Sequence, residues 1–118
     1  MRDRSHVHPL LILLTGDTLA RYVRFLNADA LPLDLTAPRI VVEWKLAAAK
    51  GTPIITKVSG DNGVDIVDPT HGLVRVLLAP AETAALAPGR YRDEVRVRFP
   101  GGVFSKSSGN IEIIAAPA

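Results

Sequence analysis

The chain has 118 residues, with 14 Lys and Arg against 12 Asp and Glu, and contains no cysteine. This length predicts one domain, the 47% hydrophobic content excludes a disordered chain, and the lack of cysteine excludes a disulfide scaffold. The formal net charge of +2 is too small to indicate nucleic-acid binding by itself.

The apolar run Leu10 to Leu14 is the first predicted strand, although two arginines precede it as in a membrane address. A secretory signal needs roughly 7–15 apolar residues and a membrane-spanning helix about 20. This run has five, and Thr15-Gly16-Asp17 closes it. We therefore predict a soluble chain with an N-terminal arm over residues 1–9 and a single domain over residues 10–115.

Short apolar stretches separated by turn residues follow, at intervals typical of an all-β sandwich. The clearest strand is predicted over residues 39–47, and its buried face carries Ile40, Val42, Trp44 and Leu46. Further strands are predicted over residues 18–27, 54–59, 64–67, 73–79, 91–99 and 103–114. Only residues 80–86, "PAETAAL", carry helix signals, because proline opens the segment and "APG" stops it.

These elements predict a β-sandwich of seven to eight strands with one short helical crossover near residues 80–86. A glycine at position 109, in the middle of the last strand, indicates a bulge or a close backbone approach.

An exposed row of arginines is the most suggestive surface feature. In the strand over residues 91–99, the inward positions are Tyr91, Val95, Val97 and Phe99, and the outward ones are Arg92, Glu94, Arg96 and Arg98. Arginine is enriched at protein interfaces because its planar fork pairs with carboxylates. The row is therefore a candidate protein interface; a solvated strand face and a phosphate contact remain alternatives.

Two apolar sets complete the candidate interface residues. Leu73 and Leu77 flank Arg75 on the non-core face of their strand, which suggests a partner or a second layer. Five consecutive apolar residues at 10–14 exceed what one buried face requires, so Leu10, Leu11 and Leu13 join the candidates. We expect their partner to be a neighbouring protein or a second copy of the chain.

Three sequence blocks in a fixed order carry a family resemblance. They are "GDT" at 16–18, "LPLDLTAPRIVVEW" at 31–44 and "GLVRVLLAPAETAALAPGRYRDEVRV" at 72–97. Over about residues 14–114 the chain resembles the immunoglobulin-like domain at the start of tailed-phage upper baseplate proteins, which related small tail and virion proteins also carry. The matching residues are Gly16, Asp17, Thr18, Pro32, Asp34, Leu35, Thr36, Gly72, Val74, Val76, Leu78, Glu82, Thr83, Ala84, Ala85, Leu86, Pro88, Gly89, Tyr91, Gly109, Ile111 and Ile113.

Three departures from the family pattern affect its turns. Ala37-Pro38 replaces the usual Gly-Ala, Ala79 replaces the serine before the short helix, and Ala30 stands where a turn glycine is common. They leave open which virion component the chain resembles. Tyr91 resembles the corner tyrosine of immunoglobulin-like folds, whose hydroxyl bonds back to the backbone.

The resemblance implies a structural adaptor without catalysis. We expect a non-enzymatic structural protein of a bacteriophage or phage-like particle, made in the bacterial host cytoplasm and located in the virion. It would be present in many copies or as a homo-oligomer and would bind other phage structural proteins, with tail or baseplate favoured over capsid decoration. No cofactor, membrane or nucleic-acid partner is expected.

Other kinds of site have weaker support in the sequence. A carbohydrate- or host-surface-binding module is the alternative function, with Tyr22 and Phe104 as the aromatic candidates. His6 and His8 with the distant His71 do not supply a zinc set, and the oxygens of residues 61–65 and Asp68 lack a calcium-binding loop. Ser105 and Lys106 are adjacent, so on a strand they face opposite sides, and "SKSSG" is interpreted as a polar outer strand face. We therefore assign no metal or catalytic residue.

Overall fold

Two β-sheets build this chain, and one short helix connects strands of different sheets. The structure is a computed structural model that describes residues 4–7, 10–27, 29–36, 39–48, 51, 53–60, 63–100 and 104–115; for residues 4–7 and 104 the description is of the backbone. The strands are β1 (Arg4–Val7), β2 (Leu11–Leu14), β3 (Leu19–Arg24), β4 (Val41–Ala48), β5 (Pro53–Val58), β6 (Val64–Asp68), β7 (Leu73–Leu78), β8 (Gly89–Arg98) and β9 (Phe104–Ile114). The helix α1 is Pro80–Ala84, and a single 3-10 turn covers Pro69–His71.

The strand order is that of an immunoglobulin-like sandwich. The larger sheet runs β1-β9-β8-β4-β5, with β2 also paired to β9, and the smaller sheet runs β3-β7-β6. Because β1 and β2 both pair in parallel with successive parts of β9, they occupy one edge position. Eight strand positions in two sheets, with α1 as a short crossover, confirm the predicted fold class.

The first strand lies within residues 1–9, the predicted N-terminal arm. The backbone of Arg4–Val7 pairs in parallel with β9, from Arg4 opposite Ser105 to Val7 opposite Ser108. A strand at a sheet edge can pair through its backbone without alternating apolar and polar side chains. The strand predictions depend on that alternation. Residues 4–7 therefore add a strand that their side-chain pattern did not indicate.

The inward faces of both sheets form a single, mostly aliphatic core. Trp44 is fully buried between the sheets, and Val42 and Leu46 are buried beside it on β4, as predicted. Ile40, the fourth residue predicted on this face, is half-buried and packs against the core. The remaining fully or nearly fully buried apolar residues are Leu19, Val23, Phe25, Leu33, Leu35, Val64, Val74, Val76, Leu78, Leu86, Tyr91, Val95, Val97, Ile111 and Ile113.

A buried ion pair joins the two sheets through this core. Arg21 on β3 places its Nε 3.2 Å from Oδ2 of Asp93 on β8, and both side chains are almost fully buried. Arg21 Nη2 also donates to the carbonyl oxygen of Asn110 at 3.1 Å. Trp44 Nε1 donates to Asp93 Oδ2 at 3.1 Å. Burial lowers the pKa of Arg21, although the carboxylate of Asp93 opposes that shift.

This ion pair stands where many immunoglobulin domains have their inter-sheet disulfide. In those domains the disulfide joins the strands equivalent to β3 and β8, a tryptophan packs against it, and the corner tyrosine precedes the second cysteine by two residues. Tyr91 precedes Asp93 by two residues, and its hydroxyl donates to the Ala87 carbonyl oxygen at 2.6 Å. The predicted tyrosine corner is therefore present, and Arg21 with Asp93 replaces the covalent bridge.

Two blocks of the family resemblance contact each other at one end of the sandwich. Asp17 Oδ2 accepts a hydrogen bond from the Leu14 backbone N–H at 2.9 Å, and the Asp17 N–H donates to the Leu14 carbonyl oxygen at 3.0 Å. The buried hydroxyl of Thr83, in α1, donates to the carbonyl oxygen of Asp17. The "GDT" turn and the helical crossover thus hold each other in place.

Gly72 and Ala30, two of the residues compared with the family pattern, have positive φ angles. Gly72 has φ +67, and a Cβ there would lie 2.6 Å from the Phe25 carbonyl oxygen and 2.8 Å from that of Leu33, so no side chain fits. Ala30 has φ +61 although it carries a side chain. Of the other departures, Ala79 precedes α1 without a side-chain cap, and Ala37 and Pro38 lie outside the described residues.

The β8–β9 pairing tests the bulge that was one of two predictions for Gly109. Residues pair from Gly89 opposite Ile113 to Arg98 opposite Phe104 without a shift, and Asp93 lies opposite Gly109. The predicted bulge is therefore wrong for this pair of strands. The carbonyl oxygen that accepts from Arg21 belongs to the next residue, Asn110.

Candidate interaction surface

The outer face of the larger sheet carries charged side chains, some of which form ion pairs with each other. Between described residues, three ion pairs lie on it: Lys45 Nζ to Glu43 Oε1 at 3.2 Å, Arg96 Nη2 to Glu94 Oε1 at 3.0 Å, and Arg90 Nη2 to Glu112 Oε1 at 3.3 Å. All three of these carboxylates are thus matched by a cation. Within the described residues, Arg92, Arg98 and Lys106 form no ion pair, so this face carries a positive surplus.

The predicted arginine row therefore divides into two kinds of residue. Arg92 and Arg98 are exposed, whereas Arg96 is half-buried and bound to Glu94. The cross-strand register places Arg96 between Glu43 and Lys106. Arg96 thus organises charges within the sheet, and Arg92 and Arg98 are the arginines available to a partner.

A shallow hollow surrounds Arg92. Its neighbours in register are Ala47 on β4 and Asn110 on β9, and short side chains here leave space beside the guanidinium. The hollow has a volume of about 330 Å³, and its lining includes Lys45, Ala47, Gly51, Arg92, Glu94 and Ser108. Lys45 and Glu94 already have partners, so among the described residues that line the hollow the unpaired charge is that of Arg92, which could receive a carboxylate in bidentate geometry.

The second predicted set lies on the opposite side of the molecule. Leu73, Arg75 and Leu77 are half-buried on the outer face of the smaller sheet. Arg75 Nη2 contacts Asp65 Oδ2 at 2.8 Å, and hydrogen bonds to Asp65 and then Tyr22 raise the pKa of Arg75. Arg75 is therefore bound within its own sheet, and Tyr22 beside it is 56% exposed.

The third predicted set lies along the edge strand β2, and its members point in different directions. Leu11 and Leu13 are half-buried and pack against the core. Leu10 is exposed, as are Ile12 and Leu14. The nine predicted interface residues therefore occupy three separate surfaces rather than one site.

The buried Arg21–Asp93 pair is not among the predicted residues, although the sequence pattern indicates it. Arg21 is in phase with the inward residues Leu19 and Val23, and Asp93 is in phase with Tyr91 and Val95. Opposite charges at two inward positions of different strands indicate a buried ion pair. The surplus cation Lys106 was also missed, because its partner strand was not known from the sequence.

The remaining polar candidates have local explanations where they are described. His71 Nδ1 lies 2.9 Å from Asp68 Oδ2, and this hydrogen bond lowers the pKa of Asp68. Within the described part of the chain, no three His, Cys, Asp or Glu residues come together as in a metal site. His8, Asp61 and Asn62 lie outside that part, and His6 is described by its backbone.

The "SKSSG" segment faces both sides of the larger sheet. Ser105 and Ser107 are buried on the inward face, whereas Lys106 and Ser108 are half-buried on the other face. Ser105 and Lys106 therefore face opposite sides, as predicted. The interpretation of the whole segment as an outer polar face is wrong for the two buried serines, because the period of two turns them inward.

Comparisons with known proteins add little to this geometry. No family model and no curated protein matches the chain. The crystal structure of Listeria monocytogenes InlP is similar with a TM-score of 0.47 and 16% sequence identity, over 95% of this chain. This chain spans 28% of the length of that one. No helix in the described residues is long and apolar enough to span a membrane.

Proposed function

We propose that this chain is a non-enzymatic structural protein of a bacteriophage or phage-like particle that binds neighbouring virion proteins in many copies. The observation that carries the proposal is the outer face of the larger sheet, where Arg92, Arg98 and Lys106 have no ion-pair partner among the described residues, beside three matched ion pairs. A rigid sheet face with surplus cations suits an acidic protein surface, because complementary charge fixes register and partner choice.

The sequence blocks that resemble the phage family also support the proposal. Asp17, Thr83, Gly72 and Tyr91 each form a specific turn or corner contact in this fold. These are scaffold roles, and they leave the outer sheet faces available for binding. On the resemblance, tail or baseplate is favoured over capsid decoration.

The direct test is the protein content of purified particles from the organism that encodes this chain. We expect mass spectrometry to find the chain in stoichiometric amounts, and labelling electron microscopy of a tagged chain to place it on the tail or baseplate. Its absence from purified particles would overturn the proposal. Labelling on the capsid would still support a virion structural protein, but it would contradict the preference for the tail or baseplate.

The role of the larger sheet is tested by charge reversal. Arg92→Glu should lower incorporation into particles by roughly tenfold or more, which corresponds to about 1.4 kcal/mol at one contact. Arg24→Glu is the matched control, because Arg24 is also exposed on a strand but belongs to the smaller sheet. An equal loss in both variants, or no loss for Arg92→Glu, would contradict the assignment of this face.

A carbohydrate- or host-surface-binding module is the second candidate, and the exposure of Tyr22 favours it. Its ring is 56% exposed beside Arg75, an arrangement that could stack and orient a sugar. A glycan array with the isolated protein tests this function. Glycan binding that disappears in Tyr22→Ala would support a binding module over the structural role. An array without signal would contradict the binding module.

A further inference from the structure

The edge strand β2 lacks the features that protect the other edges of this sandwich. Natural sheet edges are guarded by charges, prolines and bulges. The edge strand β5 begins with Pro53 and pairs with an irregular register, β6 carries Asp65 and Asp68, and β3 carries Arg24. Strand β2 reads LILL and contains no charge, and within the described residues its only strand partner is β9.

The backbone groups of β2 that face away from β9 can be identified. The Thr15 N–H donates to the Ile114 carbonyl oxygen at 2.9 Å, so Thr15 faces β9. Leu14 faces away, because both its N–H and its carbonyl oxygen are bound to Asp17. Backbone directions alternate along a strand, so Ile12 also presents its N–H and C=O groups outward. Leu10 directly precedes β2 and continues its alternation of exposed and half-buried side chains, so we assign its backbone groups the same outward direction. No described residue binds those groups.

The side chains beside these outward groups form an apolar strip. Leu10 is 46% exposed, Ile12 55% and Leu14 40%, and Ile114 on β9 lies next to Leu14 and is 43% exposed. Exposed apolar side chains along an unprotected edge indicate a strand-to-strand contact.

We propose that β2 pairs in antiparallel fashion with β2 of a second copy of this chain, about a two-fold axis at Leu11. Leu10 of each copy then faces Ile12 of the other, and the outward backbone groups of both residues are paired. The two hydrogen bonds between Leu14 and Asp17 are unchanged by this pairing. The larger sheets of the two copies thereby become one continuous sheet.

A second copy fits this edge because a two-fold axis places the strand against itself. A charge on such a strand would lose solvation and would lie near its own symmetry copy, either opposite or diagonal to it, and β2 carries none. Every side chain brought together at the axis is Leu or Ile. This contact lies apart from the Arg92 face, so the inference does not rest on the proposed function.

The oligomeric state of the full chain tests the inference, measured by sedimentation over a range of concentrations. The wild-type protein should move from 12.6 kDa towards twice that mass. Ile12→Lys should stay at the monomer mass at every concentration, because it places each lysine against Leu10 of the other copy and the two like charges diagonally across the seam. Ile54→Lys is the matched control: Ile54 is 51% exposed on β5, the opposite edge, and this variant should still dimerise.

Each other outcome of that experiment overturns the inference. A wild-type protein that remains monomeric at the highest concentration contradicts it, as does a dimer that survives Ile12→Lys. A dimer that is lost in Ile54→Lys but retained in Ile12→Lys would show that the contact lies on β5. Equal loss in both variants would indicate a contact other than this edge.

The register is tested by disulfide trapping, which also covers the case that Ile12→Lys fails to fold. The chain has no cysteine, so one introduced thiol can pair only with its copy. At the axis, Leu11 meets Leu11 as a non-hydrogen-bonded pair with Cα atoms about 4.5 Å apart, which a disulfide can span. Leu11→Cys should form a covalent dimer on mild oxidation. Leu13→Cys, whose copies lie roughly 13 Å apart along the strand direction, should not; the reverse result would overturn the axis at Leu11.

Discussion

Arg21 and Asp93 form an ion pair in the centre of the sandwich, with Arg21 Nε 3.2 Å from Asp93 Oδ2 and neither side chain more than 5% exposed. The pair links β3 of the smaller sheet to β8 of the larger one. A second contact from Trp44 to the same carboxylate adds β4 to the link. This polar connection occupies the place where immunoglobulin domains of secreted proteins have a disulfide, and it does not depend on an oxidising environment.

Removing one partner of this pair should be strongly destabilising, because the other charge is left buried. We expect Arg21→Met and Asp93→Asn each to lower the free energy of unfolding by about 3–5 kcal/mol. Combining them leaves no buried charge, and the asparagine can still accept from Trp44. The double variant should therefore be more stable than either single variant in urea denaturation. A double variant that loses the sum of the single losses would show that the two charges are not coupled.

Replacing Ala30 should stabilise the protein. Ala30 donates its N–H to the Asn27 carbonyl oxygen in a turn and holds φ at +61, a conformation that disfavours residues with a Cβ. Ala30→Gly should raise the free energy of unfolding by about 0.5–1 kcal/mol after the entropy of glycine in the unfolded chain is included. Ala20→Gly, in the exposed face of β3, should lower it by about the same amount. Thermal unfolding of both variants checks the prediction, and destabilisation by Ala30→Gly contradicts it.

The contact between Glu82 and Lys57 predicts a pH dependence. Lys57 Nζ lies 2.8 Å from Glu82 Oε2, and Glu82 Oε1 accepts the Ala79 N–H at 3.1 Å; these bonds lower the pKa of Glu82 from its ordinary value of 4.5. A lowered carboxyl pKa stabilises the fold above the unfolded-state pKa, and this contribution is lost as the pH falls through the folded-state value.

Glu82→Gln removes that titration while retaining the acceptor for the helix cap. The wild-type protein should therefore lose more stability than Glu82→Gln between about pH 6 and pH 3. Urea denaturation at several pH values measures both curves. Parallel curves for the two proteins would show that this carboxylate does not contribute to acid stability.

The tyrosine corner should contribute measurably to stability. Tyr91 is buried, and its hydroxyl bonds to the Ala87 carbonyl oxygen at 2.6 Å at the end of the helical crossover. Tyr91→Phe keeps the ring and removes that bond, so we expect a loss of about 1–2 kcal/mol. Tyr22→Phe is the control, because Tyr22 is exposed and its change should stay within about 0.5 kcal/mol. Equal melting temperatures for Tyr91→Phe and the wild-type protein would contradict the role of the hydroxyl.

The sequence by itself determined the β-class of this protein and most of its strands. The alternation through Val42, Trp44 and Leu46 predicts β4 and its buried face, because successive side chains of a strand point to opposite sides. Proline and glycine signals likewise predict the short helix after β7 and the turn at Gly72. These features depend on residues close together in the chain, so a local pattern is sufficient to reveal them.

Only the tertiary structure decided which distant residues meet. Arg21 and Asp93 are 72 positions apart, and nothing local shows that their strands face each other across the core. The same holds for Arg96, which is bound to Glu94 while Arg92 has no ion-pair partner in the described part of the chain. It holds also for Ile12, which points outward while Leu11 packs inward. Sheet order and register assign these partners, and they depend on the packing of the whole chain.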